Sequence, residues 1–321
     1  MWSRQSACAI LESHDIPRGG CEAMTEPLHK PVMIQEVLRF LDPKSGMTVV
    51  DATAGMGGHS SGLAPLLAPQ GRLVLLDKDE ESLHLAKQNL GSCDILCDFE
   101  REDFRNLDRV LDKLGIDGAD AFLFDLGISS YQMDSPQRGF SIRAEGPLDM
   151  RMDRSGFISA YDLVNNLTEE EIASILWKFG QERFSRRIAS AIVRTRRQTP
   201  ITSTKELSDI IVRSLPSKFR FHRIHPATRS FQALRIAVNR ELDSLEEGLK
   251  KAALYLNKGG RICVISFHSL EDKIVKENFR ELARTDRFRL VFKKVWRPSE
   301  EEIRDNPRSR SARMRVIERV K

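Results

Sequence analysis

The sequence predicts a doubly wound α/β fold, a mostly parallel sheet interrupted by an inserted helical subdomain. Three observations carry this expectation. Short apolar runs rich in β-branched residues alternate with amphipathic helical stretches, the pattern of right-handed βαβ units. Two of those runs end in an acid: Val49-Val50-Asp51, which opens into Ala52-Thr53-Ala54-Gly55-Met56-Gly57-Gly58-His59, and Arg72-Leu73-Val74-Leu75-Leu76-Asp77. The alternation breaks once, between Ser135 and His225, where helix formers and charged residues predominate.

Taken in order, residues 1–24 show no periodicity, and no basic segment precedes a long apolar one, so they read as a flexible extension and not as a secretory signal, with Met24 as an alternative start. Strands are expected at 47–52, 72–77, 94–98 and 119–125, with helices at 60–67, 80–90 and 105–115 between them. Within the insert, Thr168-Glu169-Glu170-Glu171 has the form of a capping box that starts a helix. Ala233, Ile236, Ala237, Leu242, Leu245 and Leu249 recur at helical spacing and predict one helical region over 228–256, ending at Gly259-Gly260. Ile262 to Phe267 reads as a fifth buried strand, Glu271 to Leu282 as a helix, and 288–295 with 312–320 as a terminal strand pair. The chain thus divides into the extension, a ligand-binding domain made of 25–134 and 226–321, and an inserted substrate-recognition subdomain over 135–225.

Composition narrows the partners. The 321 residues hold one large or two ordinary domains, and a net charge of +5 suits a polyanion without demanding one. Cys8, Cys21, Cys93, Cys97 and Cys263 are odd in number and scattered, as for reduced thiols of the cytoplasm. Cys93-x-x-x-Cys97 has no second pair and His222-x-x-His225 lacks carboxylate or thiolate partners, so no metal is expected. No apolar run approaches the roughly 20 residues that span a bilayer, and no membrane role is expected.

The glycine loop and the acid roughly twenty residues beyond it fit a nucleoside-containing ligand, whose ribose diol is held by an acid at the end of the second strand. The spacing Gly55-x-Gly57-Gly58 matches the dinucleotide fingerprint poorly. Asp51 at the head of the loop would repel a pyrophosphate and welcome a cationic sulfonium or amino group. That favours S-adenosylmethionine, with a nicotinamide dinucleotide as the alternative.

The fourth strand leads into Ala121-Phe122-Leu123-Phe124-Asp125-Leu126-Gly127-Ile128-Ser129-Ser130-Tyr131-Gln132-Met133-Asp134, which sets a carboxylate, hydroxyls and an amide where ligands bind in open α/β sheets. Arg138-Gly139-Phe140-Ser141 and Gly146-Pro147-Leu148-Asp149-Met150-Arg151-Met152-Asp153 follow. With Gly180 to Ser185, His225 to Arg235, Ile265 to Asp272 and Asn306 to Ala312, these blocks resemble the MraW/RsmH family. The likeness starts at His29-Lys30-Pro31-Val32 and runs through most of the chain, although the family usually has proline at the position of Tyr131.

The resemblance implies a class I methyltransferase that uses S-adenosylmethionine to methylate the exocyclic amine of a cytidine in 16S RNA of the small ribosomal subunit, in its decoding region. It places Gly57, Gly58 and His59 at the methionine end of the cofactor, Asp77 on the ribose and Phe104 near the adenine. Asp125 and Gln132 would close the site where the methyl group leaves. Position alone supports Asp77 and Asp125, which end strands; Phe104 alone reads as core, and His268 equally as a satisfied buried histidine or a substrate contact. The cytosine amine is a poor nucleophile, because its lone pair is delocalised into the ring. Asp125 is the catalytic candidate, as an acceptor that localises that lone pair; a role in cofactor binding only is the other reading. Ser129 or Ser130 would assist, and Tyr131 or Phe140 would offer a stacking face to a base taken out of its stack.

Arg183, Arg186, Arg187, Arg194, Arg196 and Arg197 surround apolar Ile188, Ala189, Ala191, Ile192 and Val193, an apolar helix face backed by arginines. Arg187, Arg194 and Arg197 are the candidate phosphate contacts, against the plainer reading of a solvated surface. Two rival functions stay open: a methyltransferase of the same fold acting on protein or a small molecule, and a non-catalytic RNA-binding assembly factor. Self-association as a homo-oligomer also stays open.

Overall fold

A helix absent from the sequence-based expectation precedes the sheet: α1, Ile34–Leu41, buries Val37 and Leu41. The structure, a computed structural model, describes residues 30–91, 93–220 and 224–321; the extension expected at 1–24, His29 and His222 lie outside these residues. Strand and helix then alternate through β1 (Thr48–Asp51), α2 (Gly58–Leu67), β2 (Arg72–Asp77), α3 (Glu80–Leu90), β3 (Leu96–Arg101), α4 (Leu107–Lys113) and β4 (Ala119–Asp125). A short helix, α5 (Ser130–Asp134), leads into the insert: α6 (Ala160–Asn166), α7 (Glu169–Gly180), α8 (Ser185–Arg196), α9 (Thr204–Ser214) and α10 (Thr228–Asn239). The chain returns to the sheet with α11 (Glu241–Tyr255), β5 (Leu256–Ser266), α12 (Ser269–Leu282), β6 (Phe288–Leu290), α13 (Glu300–Asp305) and β7 (Arg313–Arg319).

The seven strands lie in the order β3-β2-β1-β4-β5-β7-β6. The first five are parallel, and β7 runs antiparallel between β5 and β6. Successive strand side chains point to opposite faces, and each face has its own core. Val50, Val74, Leu76, Phe122 and Phe124 pack against α4, α11 and α12, whereas Val49, Leu73, Leu75, Ala121 and Leu123 pack against α1, α2 and α3. Each fully buried Leu or Phe contributes about 1.5–3 kcal/mol. Strand order reverses between β1 and β4, so a crevice opens at their carboxyl ends, the expected ligand position in such a sheet.

The strand expected at 288–295 is cut short at Phe288–Leu290. Three other boundaries differ from expectation, each for a physical reason. β3 ends at Arg101, because it pairs with β2 in a register that sets Asp77 opposite Arg101. As an edge strand carrying Asp98, Glu100 and Arg101, it leaves little apolar signal beyond Phe99. The helical region over 228–256 is two helices, broken at Arg240, which adopts a left-handed conformation (φ 50°). Asn239 holds the break by donating to the Met150 carbonyl (2.7 Å) and accepting from Met152 N (2.8 Å). Gly259-Gly260 does not end a helix; it forms a bulge inside β5, where pairing with β4 jumps from Ala119–Leu256 to Ala121–Arg261. A Cβ on Gly260 would lie 2.7 Å from the Asp120 carbonyl oxygen, so the bulge requires glycine there.

The insert has a third core, in which Val164, Ile172, Leu176, Ile188, Ile192, Leu207 and Ile211 surround Phe231 and Leu234. Three of its helices, α6, α7 and α9, begin in capping boxes, Ser159 with Asp162, Thr168 with Glu171 and Ser203 with Glu206. α10 belongs to this core, so the packed unit extends past residue 225 to Asn239. Gly180 of α7 permits that packing: a Cβ there would lie 2.5 Å from the Arg229 carbonyl oxygen. Among the described residues no helix is long and apolar enough to cross a membrane.

Candidate active site

A cavity of about 580 Å³ occupies the crevice above β1, β2, β4 and β5. Gly58, His59, Asp77, Phe104, Asp125, Ser129 and Gln132 all line it, which brings most of the sequence-derived candidates together. Gly57 does not. It caps α2 at φ 82° and backs onto α3, where an added Cβ would meet Leu90 Cδ1 at 3.2 Å. Its service is to the turn.

Asp77 ends β2 with both oxygens engaged, Oδ2 accepting from Gly55 N and Oδ1 from Asp79 N, each at 2.8 Å. One carboxylate therefore ties the glycine loop to the start of α3. Burial pushes its pKa up to about 6, against the pull of those two amides. Asp51, expected at the mouth of the loop, lies instead beneath it, 1 % exposed. It accepts from Ser60 Oγ (2.6 Å) and Thr53 N (3.2 Å), and burial raises its pKa. Asp77 and Asp125, unlike Asp51, line the cavity.

Asp125 ends β4, its backbone N donating to Thr53 Oγ1 at 2.6 Å. Its Oδ1 is buried without a hydrogen-bond partner among the described residues. Burial lifts its pKa to about 6; His59 pulls it down, while Asp51 and Glu271 add to the rise. Nε2 of His59 lies 2.9 Å from the Val32 carbonyl, which can only accept, so this nitrogen carries the proton. Nδ1 of His59 then faces Asp125 Oδ2 at 3.5 Å.

Phe104 meets Phe124 edge-on, ring centroids 5.5 Å apart, and reaches the cavity because Gly248 of α11 makes room. Gln132, 3 % exposed, accepts from Ser129 N (3.0 Å) and donates to Asp79 Oδ2 (2.6 Å). Both ends of its amide are thus spent on shaping the loop. Tyr131 does not line the cavity, and Phe140 is 5 % exposed within the core of the insert, which removes it as a stacking face.

Arg187, Arg194 and Arg197 also lie away from the cavity, exposed on and just beyond α8 with no acidic partner among the described residues. Arg196 is different: it turns inward and donates to the carbonyls of Val164 (2.5 Å) and Leu167.

The sequence reading missed one side of the cavity, formed by Arg235, Glu241 and Glu271. Arg235 donates to both oxygens of Glu241 at 2.8 Å, spanning the break between α10 and α11. Glu271 closes the capping box of α12 with His268, accepting from Phe267 N at 2.8 Å. Burial raises the Glu271 pKa, but His268 and Arg235 hold it below the usual range. Glu241, His268 and Glu271 bring ligand-type atoms within 4.8 Å of one another. Their carboxylates already neutralise Arg235 and cap α12. A signal existed, since Arg235 and Glu271 fall in blocks at 225–235 and 265–272 that stand out in the sequence. Their convergence did not.

A family model described as the MraW methylase family matches residues 26–320. The chain is 47% identical over 307 residues to ribosomal RNA small subunit methyltransferase H of Geobacter sp. (strain M21), covering 91% of this chain and 98% of that protein. It is 47% identical over 308 residues to the protein of the same name from Pelobacter propionicus, with the same coverage. It is 42% identical over 307 residues to that of Halothermothrix orenii, again over 91% and 98% of the two chains.

Proposed function

The chain belongs to the MraW methylase family, and from that premise we propose that it transfers a methyl group from S-adenosylmethionine to the N4 amine of a cytidine in 16S RNA of the small ribosomal subunit, in the decoding region. The observation that carries the reading is the placement of two cavity-lining carboxylates, Asp77 and Asp125, at the ends of β2 and β4, the strands that flank β1, in a chain whose relatives are named for ribosomal RNA methylation. The residues suit the cofactor. Asp77 stands where a ribose diol is held, Phe104 and Leu245 offer apolar wall to an adenine, and Asp125 sets a carboxylate near the cationic end.

When bound, S-adenosylmethionine supplies an electrophilic methyl on a sulfonium and leaves as the thioether. Asp125 accepts a hydrogen bond from the amine, localises its lone pair for in-line attack, and takes one amine proton as the N–CH3 bond forms. The neighbouring His59 ring, fixed by Val32, sets its Nδ1 3.5 Å from Asp125 Oδ2. Most of the remaining acceleration is alignment of nitrogen, methyl and sulfur. Gln132 contributes by fixing the Ser129 loop, which borders the same space.

The exposed arginines of α8 supply phosphate contacts for a cytoplasmic enzyme acting on ribosomal RNA or the assembled subunit. The test is transfer of radiolabelled methyl from S-adenosylmethionine to purified small subunits, followed by digestion to nucleosides. Label in N4-methylcytidine is expected. Label elsewhere or in protein would overturn the substrate, and cofactor binding without transfer would favour an assembly factor.

A further inference from the structure

Arg138 belongs to the inserted segment, yet it is 2 % exposed and points back at the start of α3. Its NH1 donates to Asp79 Oδ2 at 2.8 Å and to Glu81 Oε2 at 2.9 Å. Its NH2 donates to the carbonyls of Met152 (2.9 Å) and Arg151 (3.2 Å), so one guanidinium clamps the loop before α6 to the start of α3. Asp79, also 2 % exposed, is the hub. It caps α3, accepts from Gln132 Nε2 at 2.6 Å and from Ser82 Oγ at 3.1 Å, and donates its own N–H to Asp77 Oδ1 at 2.8 Å.

An unbroken set of contacts therefore runs from Met152 through Arg138 and Asp79 to Asp77, with a branch through Gln132 to Ser129. The burial of this pair decides its importance. Two charges out of water are tolerable only when matched, and losing one partner strands the other. Without Arg138, Asp79 would be a buried carboxylate with only neutral donors, Gln132 Nε2, Ser82 Oγ and Glu81 N, and the Asp77–Asp79 turn would have to move to rehydrate it. Asp77 rides on that turn.

We propose that Arg138 is a positioning residue for the cofactor end of the site: it locks the Asp77–Asp79 turn to the inserted subdomain, so that seating of the insert and binding of the nucleoside ligand are coupled. The proposal rests on S-adenosylmethionine being that ligand. Arg138 does not itself line the cavity; it reaches the site through Asp79 and through the carbonyl of Met152, which does line it. Coupling is reciprocal: a ligand on Asp77 steadies the loop at 138–152 as much as that loop steadies Asp77.

The test uses the full chain and S-adenosylhomocysteine as probe. Calorimetric titration of Arg138→Met is expected to give at least tenfold weaker binding than wild type. Arg138→Lys, which keeps the charge on Asp79 but loses the carbonyl clamp, should fall between them. Hydrogen exchange over residues 138–152 should slow on adding the probe to wild type and not to Arg138→Met. A purely structural role would lower the melting temperature and leave both readouts unmoved. Should Arg138→Met fail to fold, Arg138→Lys and the charge-relieved Arg138→Met/Asp79→Asn carry the same measurements. Wild-type binding with an unchanged Kd in the folded variants overturns the proposal alone. No binding by wild type overturns the cofactor reading, and this proposal with it.

Discussion

His59 Nδ1 lies 3.5 Å from Asp125 Oδ2, while the other nitrogen of the same ring is anchored 2.9 Å from the Val32 carbonyl. The histidine is held from one side and turns its second nitrogen to the carboxylate at the end of β4. Asp125 is thereby a group with a strong burial penalty, a single neighbouring imidazole, and a proton affinity close to neutrality.

Burial raises the Asp125 pKa to about 6, and the sign of its pH effects follows. Methyl transfer needs the carboxylate to accept, so turnover should climb as pH rises through about 6. Stability runs the other way. Between the ordinary carboxylate value and about 6 the folded chain holds a proton that the unfolded chain has lost, so stability falls as pH rises through that window. Asp125→Asn should therefore melt higher than wild type at pH above 7, by about 1–3 kcal/mol of stability, and lose about 10²–10⁴-fold in turnover. Cofactor affinity should change little. Equal losses in turnover and affinity would make Asp125 a cofactor ligand only.

Asp77→Ala should weaken S-adenosylhomocysteine binding strongly, since a charge-assisted acceptor is worth roughly 1.5–3 kcal/mol. The same change frees the amides of Gly55 and Asp79, so hydrogen exchange at both should rise in the folded variant. Calorimetry showing an unaltered Kd would remove Asp77 from the site.

Gly248→Ala sets two effects against each other. Alanine inside α11 should gain about 1 kcal/mol of helix propensity. The new Cβ, however, would sit 2.7 Å from Phe104 Cδ2 and 3.2 Å from its carbonyl oxygen, and overpacking typically costs about 1–3 kcal/mol. The clash should win, with a lower melting temperature and weaker cofactor binding as Phe104 is pushed aside. A higher melting temperature with unchanged affinity would mean that the ring is not held where it lines the cavity.

Replacing Arg187, Arg194 and Arg197 together with glutamine should leave cofactor affinity near wild type, because none of the three touches the cavity. Affinity for small-subunit RNA should fall. The slope of log affinity against log salt should flatten by roughly 0.7–0.9 for each phosphate contact removed. Identical slopes for mutant and wild type would make this face a solvated surface.

Much of the sheet was legible because its signal is local. Val74, Leu75 and Leu76 form an apolar run that only a buried strand explains, and an acid ending such a strand sits by construction at the ligand edge of a parallel sheet. Asp77 and Asp125 were readable on that ground. Phe104 was not: its access to the cavity depends on a glycine on α11, far along the chain.

What the sequence by itself determined is the alternation of strands and helices, the interruption by a helical insert, and the strand-end acids Asp51, Asp77 and Asp125. Only the tertiary structure decided that Asp51 is buried beneath the loop, that Phe140 is core, that α10 packs with the insert, and that Gly259-Gly260 bends a strand. It alone joined Arg138 to Asp79, 59 residues apart, and Met33 to Glu302, 269 residues apart. The reason is physical. Periodicity reports which side of an element faces apolar surroundings, whereas the partner of a buried charge is fixed by packing between elements whose separation along the chain carries no trace of their contact.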